Sequence, residues 1–144
     1  MQDRVQETKP LATKEVILLH ALRTATRPRT AYELIDQLRD EGIKTPPTVY
    51  RALNRLISLG LVHRLESLNA YLACQSGQCG PRANPAFAIC DGCGDVAEIV
   101  GSAVIAGVKT WAQGSNFTVG SITFELHGRC RSCRDGNNDP EHGQ

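Results

Sequence analysis

No run of apolar residues in this 144-residue chain approaches the roughly 20 that a membrane-spanning helix requires, so the expected class is a soluble protein with no membrane partner. The opening residues MQDRVQETKP lack the apolar core of a secretory signal, which makes a reducing cytoplasm the expected compartment. Neither sign of charge prevails, because sixteen Lys and Arg face fifteen Asp and Glu. The chain has no internal repeat, no glycine-rich nucleotide loop, no nucleophile elbow and no H-E-x-x-H. An enzyme is therefore the class with least support, and the chain reads as a non-enzyme.

Six cysteines are what the chain does have. Four of them form two C-x-x-C pairs, Cys90 with Cys93 and Cys130 with Cys133. In a reducing compartment such pairs point to metal ligation or redox chemistry before structural disulfides. Four thiolates suit tetrahedral Zn²⁺, and Gly92 and Gly94 would supply the positive φ that a tight ligand turn needs. The stretch from Cys93 to Cys130 is longer than a simple zinc ribbon allows, a gap that the intervening helix and strand would explain if they form a domain whose two ends return to one place. A structural Zn²⁺ would also stabilise a half-chain too short for a large core.

The even charge balance hides an asymmetry. Residues 1–74 hold eleven Lys and Arg against eight Asp and Glu, whereas residues 75–144 hold five against seven. The N-terminal half is the one suited to a polyanion. It reads as three helices: one from Ala12 to Ala25 with Thr13 as its cap; a second opened by the capping box Thr30-Ala31-Tyr32-Glu33 and ended by Gly42; and a third started by Thr45-Pro46 and closed by Gly60. Val49, Leu53, Leu56 and Ile57 form the apolar stripe of the third helix, and Thr48, Tyr50, Arg51 and Arg55 lie on its opposite face. Leu61–Glu66 and Ala70–Cys74 read as a hairpin around Ser67-Leu68-Asn69. Three helices and a hairpin are the order of a winged helix-turn-helix, whose third helix enters the DNA major groove. A hairpin loop centred between Leu68 and Asn69 would set His63 directly opposite Cys74, close enough to share one metal ion.

The expected organisation is α+β: a winged-helix DNA-binding domain over residues 1–74, a hinge at 75–86, an α/β metal-binding domain over 87–134, and a loose tail from 135 to 144. Strands are expected at Phe87–Cys90, Val96–Val100 and Phe117–Leu126, with a helix over Ser102–Gln113.

The run TPPTVYRALNRLISLGLVHRLESLNAYLAC, followed by FAICDGCGDVAEI and ELHGRCRSC, resembles the ferric uptake regulator family over residues 12–134. The resemblance implies a homodimer that binds double-stranded operator DNA through its winged helix and dimerises through the C-terminal half around a structural four-cysteine zinc. It implies a second, regulatory metal at the hinge, with His63, Cys74 and Glu98 on ligand positions and Tyr32, Tyr50 and Arg51 on DNA-contacting positions. The function implied is a zinc-responsive repressor of metal-uptake genes. This chain departs from the family pattern at Ala83 and Ser121, where histidines are usual, and it lacks the histidine-rich stretch near the hinge loop. Cys79 in the same loop is the expected fourth ligand, and two thiolates would favour zinc over iron or manganese. A redox- or other-metal-responsive regulator on the same scaffold stays open, as does a zinc-ribbon interaction module without DNA function.

Overall fold

The computed structural model describes residues 10–75, 80, 85–99 and 103–136. Helices α1 (Thr13–Thr24), α2 (Ala31–Leu38) and α3 (Pro46–Ser58) come first, followed by strands β1 (Val62–Leu65) and β2 (Ala70–Ala73). Among these described residues no helix is long and apolar enough to cross a membrane. The helices meet through Leu18, Leu22, Leu34, Leu38, Val49, Leu53 and Leu56, all buried in one cluster that also takes in Val62 and Tyr71 from the hairpin. Each such side chain removed from water contributes about 1.5–3 kcal/mol.

The capping box at α2 forms in full. The Glu33 amide donates to Thr30 Oγ1 at 3.2 Å, and the Thr30 amide donates to Glu33 Oε2 at 2.8 Å. Of the other two expected caps, Thr13 is displaced and Thr45 takes the N-cap position of α3 without a side-chain bond to its amides. Ala12, not Thr13, is the N-cap of α1, and the Thr45 hydroxyl bonds Thr48 Oγ1 at 2.9 Å instead of a backbone amide of α3. Pro46 does occupy the start of α3, where a missing N–H costs nothing.

The hairpin register departs from expectation. Leu65 pairs with Ala70, so the loop is four residues, Glu66 to Asn69, with Asn69 in the left-handed region at φ 47°. His63 therefore lies opposite Leu72, and Cys74 lies opposite Leu61, whose carbonyl accepts the Cys74 amide at 2.9 Å. A two-residue change of register leaves each side chain on its original face, so His63 and Cys74 become diagonal neighbours. Arg29, in the loop between α1 and α2, adds a short antiparallel bridge to Tyr71, with amide–carbonyl distances of 2.9 and 2.8 Å. Gly60 turns the chain into β1 at φ +75°, where a Cβ would fall 2.3 Å from the Gly80 carbonyl carbon.

The C-terminal sheet has the order β4-β3-β5, made of β3 (Ala86–Cys90), β4 (Val96–Ile99) and β5 (Phe124–Gly128). β3 runs antiparallel to β4 and parallel to β5, and the parallel pairing sets Cys90 against Gly128. Helix α4 (Ala103–Gly114) lies between β4 and β5 in the chain, and a one-turn helix, α5 (Arg131–Arg134), follows β5. The strand expected over Phe117–Leu126 begins only at Phe124. Upstream, the Phe117 amide closes α4 by donating to the Ala112 carbonyl at 2.8 Å, so the alternating apolar pattern of this stretch belongs to a connection. Most of the expected hinge and tail lies outside the described residues.

Thr30→Ala removes one half of the capping box and should lower unfolding free energy by about 1 kcal/mol in urea denaturation at neutral pH. Hydrogen bonding, chiefly from the Thr30 amide, holds the Glu33 carboxyl below its ordinary value of 4.5. The Glu33 share of the stability is therefore present above that value and fades as pH falls through the lowered one.

Candidate metal sites and nucleic-acid interface

The parallel pairing of β3 with β5 brings the two C-x-x-C pairs together, because both strands end at the same edge of the sheet. The Asp91 amide donates to the Gly128 carbonyl at 2.7 Å, tying the two exits. The sulfurs of Cys90, Cys93, Cys130 and Cys133 all lie within 4.8 Å of one another. Cys93 Sγ and Cys130 Sγ are 3.8 Å apart, the edge of a tetrahedron with metal–sulfur bonds of about 2.3 Å. Amides of Cys130 and Cys93 donate to Cys90 Sγ at 3.3 and 3.5 Å. Those bonds, the Cys130 amide first, bring the Cys90 thiol down to about 6, whereas Cys133 is pushed up to about 12, first by the Cys130 side chain. The Cys90 sulfur is thus inclined to ionise, and a bound cation would favour thiolates across the set. Gly94 has the positive φ expected of it, +76°. Gly92 is required for another reason: a Cβ there would lie 2.9 Å from Cys133 Sγ.

The second group comprises His63, Cys74 and Glu98, with ligand atoms also within 4.8 Å of one another. His63 comes from β1, Cys74 directly follows β2, and Glu98 comes from β4, so the group bridges the hairpin and the C-terminal sheet. His63 is buried at 7% exposure and stands over Phe87, ring centroids 5.5 Å apart. Burial lowers its pKa, partly offset by the Glu98 charge, which favours the neutral imidazole that a metal binds. Cys74 is disulfide-bonded in this structure, so its sulfur can act as a ligand only once reduced. Cys79 and Ala83 lie outside the described residues.

The residues expected to meet DNA divide. Tyr32 is 66% exposed on α2, and Arg51 is exposed on α3. Thr48 is half-buried and bonded to Thr45, and Tyr50 is half-buried against the helical core. Arg55 is turned inward: Nη1 pairs with Glu15 Oε2 of α1, and the two side chains retain 28% and 11% exposure. That ion pair fastens α1 to α3, so Arg55 is committed to the fold in this structure. Glu15 was not singled out in the sequence, where it reads as an ordinary first-turn acid. Phe87 was missed as well, although an aromatic beside the first cysteine pair was the available signal.

No family model matches the chain. The zinc uptake regulation protein of Escherichia coli K12 is 40% identical over 105 residues, covering 72% of this chain, and its counterpart in Shigella flexneri matches equally. The match spans 61% of those relatives' length. Among solved structures, a zinc uptake regulator complexed with zinc and DNA superimposes with a TM-score of 0.82 at 34% identity, covering 92% of this chain and 88% of that one. The chain belongs to the ferric uptake regulator family. Within this family it is also similar to holo XcZur, with a TM-score of 0.78, 34% identity and coverage of 90% and 89%. A ferric uptake regulator from Helicobacter pylori, at 16% identity and TM-score 0.57, shares the fold alone.

The inward position of Arg55 separates it from Arg51 in a stability measurement. Arg55→Ala leaves Glu15 without its partner and should cost about 1–3 kcal/mol, whereas Arg51→Ala should stay within about 0.5 kcal/mol of wild type; paired urea titrations read both.

Proposed function

We propose that this chain is a cytoplasmic, zinc-responsive transcriptional repressor of metal-uptake genes, binding operator DNA as a homodimer. The observation that carries the reading is the His63/Cys74/Glu98 group, whose ligands come from both the winged half and the C-terminal sheet. A ligand site divided between two bodies can couple occupancy to their arrangement, because the ion binds best where all donors converge. The similarity to a zinc uptake regulator solved with zinc and DNA supports zinc over the redox or adaptor readings.

The four-sulfur group supports a permanent structural role for Cys90, Cys93, Cys130 and Cys133, with zinc supplying four coordination bonds at the exits of β3 and β5. At the hinge, the chain's own contribution is a neutral His63, a Glu98 carboxylate and the reduced Cys74. Cys79 remains our proposed fourth ligand. Tyr32 and Arg51 are the exposed members of the proposed reading surface, Thr48 and Tyr50 are its half-buried members, and Arg55 serves it through its ion pair with Glu15. Apolar area on the other half supports the homodimer: α4 buries only Ile105 and Ala112, while Val104, Val108 and Trp111 at helical spacing are 50%, 39% and 61% exposed. Phe117 is 60% exposed beside Trp111, ring centroids 5.8 Å apart. An apolar face of this kind marks an association surface.

The deciding experiment combines metal analysis of reduced protein with binding to DNA fragments selected from a random duplex pool, in zinc, iron or manganese. Two zinc ions per protomer and tight binding in zinc alone are expected; equal binding without metal would overturn the reading. Arg51→Ala should weaken binding of the selected duplex by on the order of 1–3 kcal/mol with dimer and metal content unchanged. Cys79→Ser should weaken only the second zinc, and unaltered affinity there removes Cys79 from the site.

A further inference from the structure

On the sheet face that meets the hairpin, Phe87 pairs with Glu98 on one side and with Glu125 on the other. One row therefore carries two carboxylates, and they hold opposite ends of the hairpin. Glu98 is at the open end, beside Cys74, and its Oε2 accepts the Gln75 amide at 3.4 Å. Glu125 is at the turn, where its two oxygens take consecutive amides, Glu66 at 2.6 Å and Ser67 at 3.2 Å. The Glu125 side chain is 9% exposed. His127, two residues on and on the same face, contacts Ser67 Oγ through Nε2 at 3.0 Å and Asp91 Oδ1 through Nδ1 at 3.3 Å.

We propose that Glu125, supported by His127, is a positioning residue: a metal-independent anchor that fixes the hairpin turn on the C-terminal sheet and so prearranges His63 and Cys74 to meet Glu98. The inference rests on the hinge reading above and deepens it.

A carboxylate accepting two backbone amides is a charge-assisted, geometrically fixed contact. Burial alone would raise the Glu125 carboxyl, but hydrogen bonds from the Ser67 hydroxyl and amide and the Glu66 amide outweigh it and hold the group below its ordinary value. With the turn held, displacement of the hairpin's open end relative to the sheet is restricted. Releasing the turn adds arrangements in which the three hinge ligands are apart, and the apparent zinc affinity falls in proportion to the population that remains assembled. Glu125 holds the Glu66 and Ser67 amides of the turn, so the effect passes through the hairpin.

The test uses the full-length reduced protein, zinc with a competing chelator, and Glu125→Gln, which keeps the side-chain volume but offers an NH₂ where one amide needs an acceptor. Second-site zinc affinity should fall on the order of tenfold, with the four-cysteine zinc retained and amide exchange at Glu66 and Ser67 accelerated even without hinge metal. His127→Gln, at an exposed side chain, should give a smaller loss in the same direction and decides the matter if Glu125→Gln does not fold. Two zinc ions in wild type with unchanged second-site affinity in the variants would overturn this inference alone. A wild-type protein that takes up one zinc only would remove the hinge reading and this inference with it.

Discussion

Both faces of the β1–β2 hairpin are buried, and the rest of the molecule depends on that. Val62, Tyr71 and Ala73 face the helices, while Leu65 and Leu72 pack with Phe87 and Ile89 of the C-terminal sheet. Period-two alternation gives a short ribbon two separate sets of apolar contacts. A wing that was only a wing would leave one side to solvent. Here the outer side is a second core, and His63 is carried into it beside Phe87. The proposed sensing ligands are therefore located where the two halves already touch, and the energy of that contact is available to any ion that prefers the joined arrangement.

The four-sulfur site follows from a different constraint. A parallel pair of strands cannot be closed by a tight turn, so β3 and β5 need a long crossover, which α4 provides. The same geometry delivers both strand exits to one edge, and each exit carries a C-x-x-C pair. The long separation between the pairs in the chain is thus a requirement of parallel pairing. It also explains why Gly92 admits no side chain, since the returning α5 places Cys133 Sγ against it.

Much of this was legible where chemistry is local. The capping box Thr30–Glu33, the proline at the start of α3 and the apolar stripe of Val49, Leu53 and Leu56 depend on neighbours in the chain and were read correctly. The winged order of elements and the four-cysteine group were legible as well. The hairpin register was misplaced because the loop was centred between Leu68 and Asn69, whereas the four-residue turn Glu66–Asn69, with Asn69 in the left-handed region, is centred one residue earlier and so shifts the pairing by two. Phe117–Thr123 alternates like a strand, yet it has no neighbour to pair with among the described residues. Arg55 looked like a DNA contact because its partner, Glu15, is forty residues away on another helix. Glu98 was reached only through family resemblance, and Glu125 and His127 were not reached at all, since a carboxylate that brackets two amides leaves no mark in sequence beyond its alternation along β5.

Trp111 is the single tryptophan of the chain. It sits on the uncovered face of α4 next to Phe117, remote in sequence from the three helices and the hairpin. The molecule thus carries one natural indole chromophore, placed on the surface proposed for subunit association. Its emission will shift to shorter wavelength as that surface is covered and dried, and the winged half, which has tyrosine but no tryptophan, contributes no indole emission of its own. Assembly can thus be followed optically in the unlabelled protein, separately from events at the DNA-reading surface.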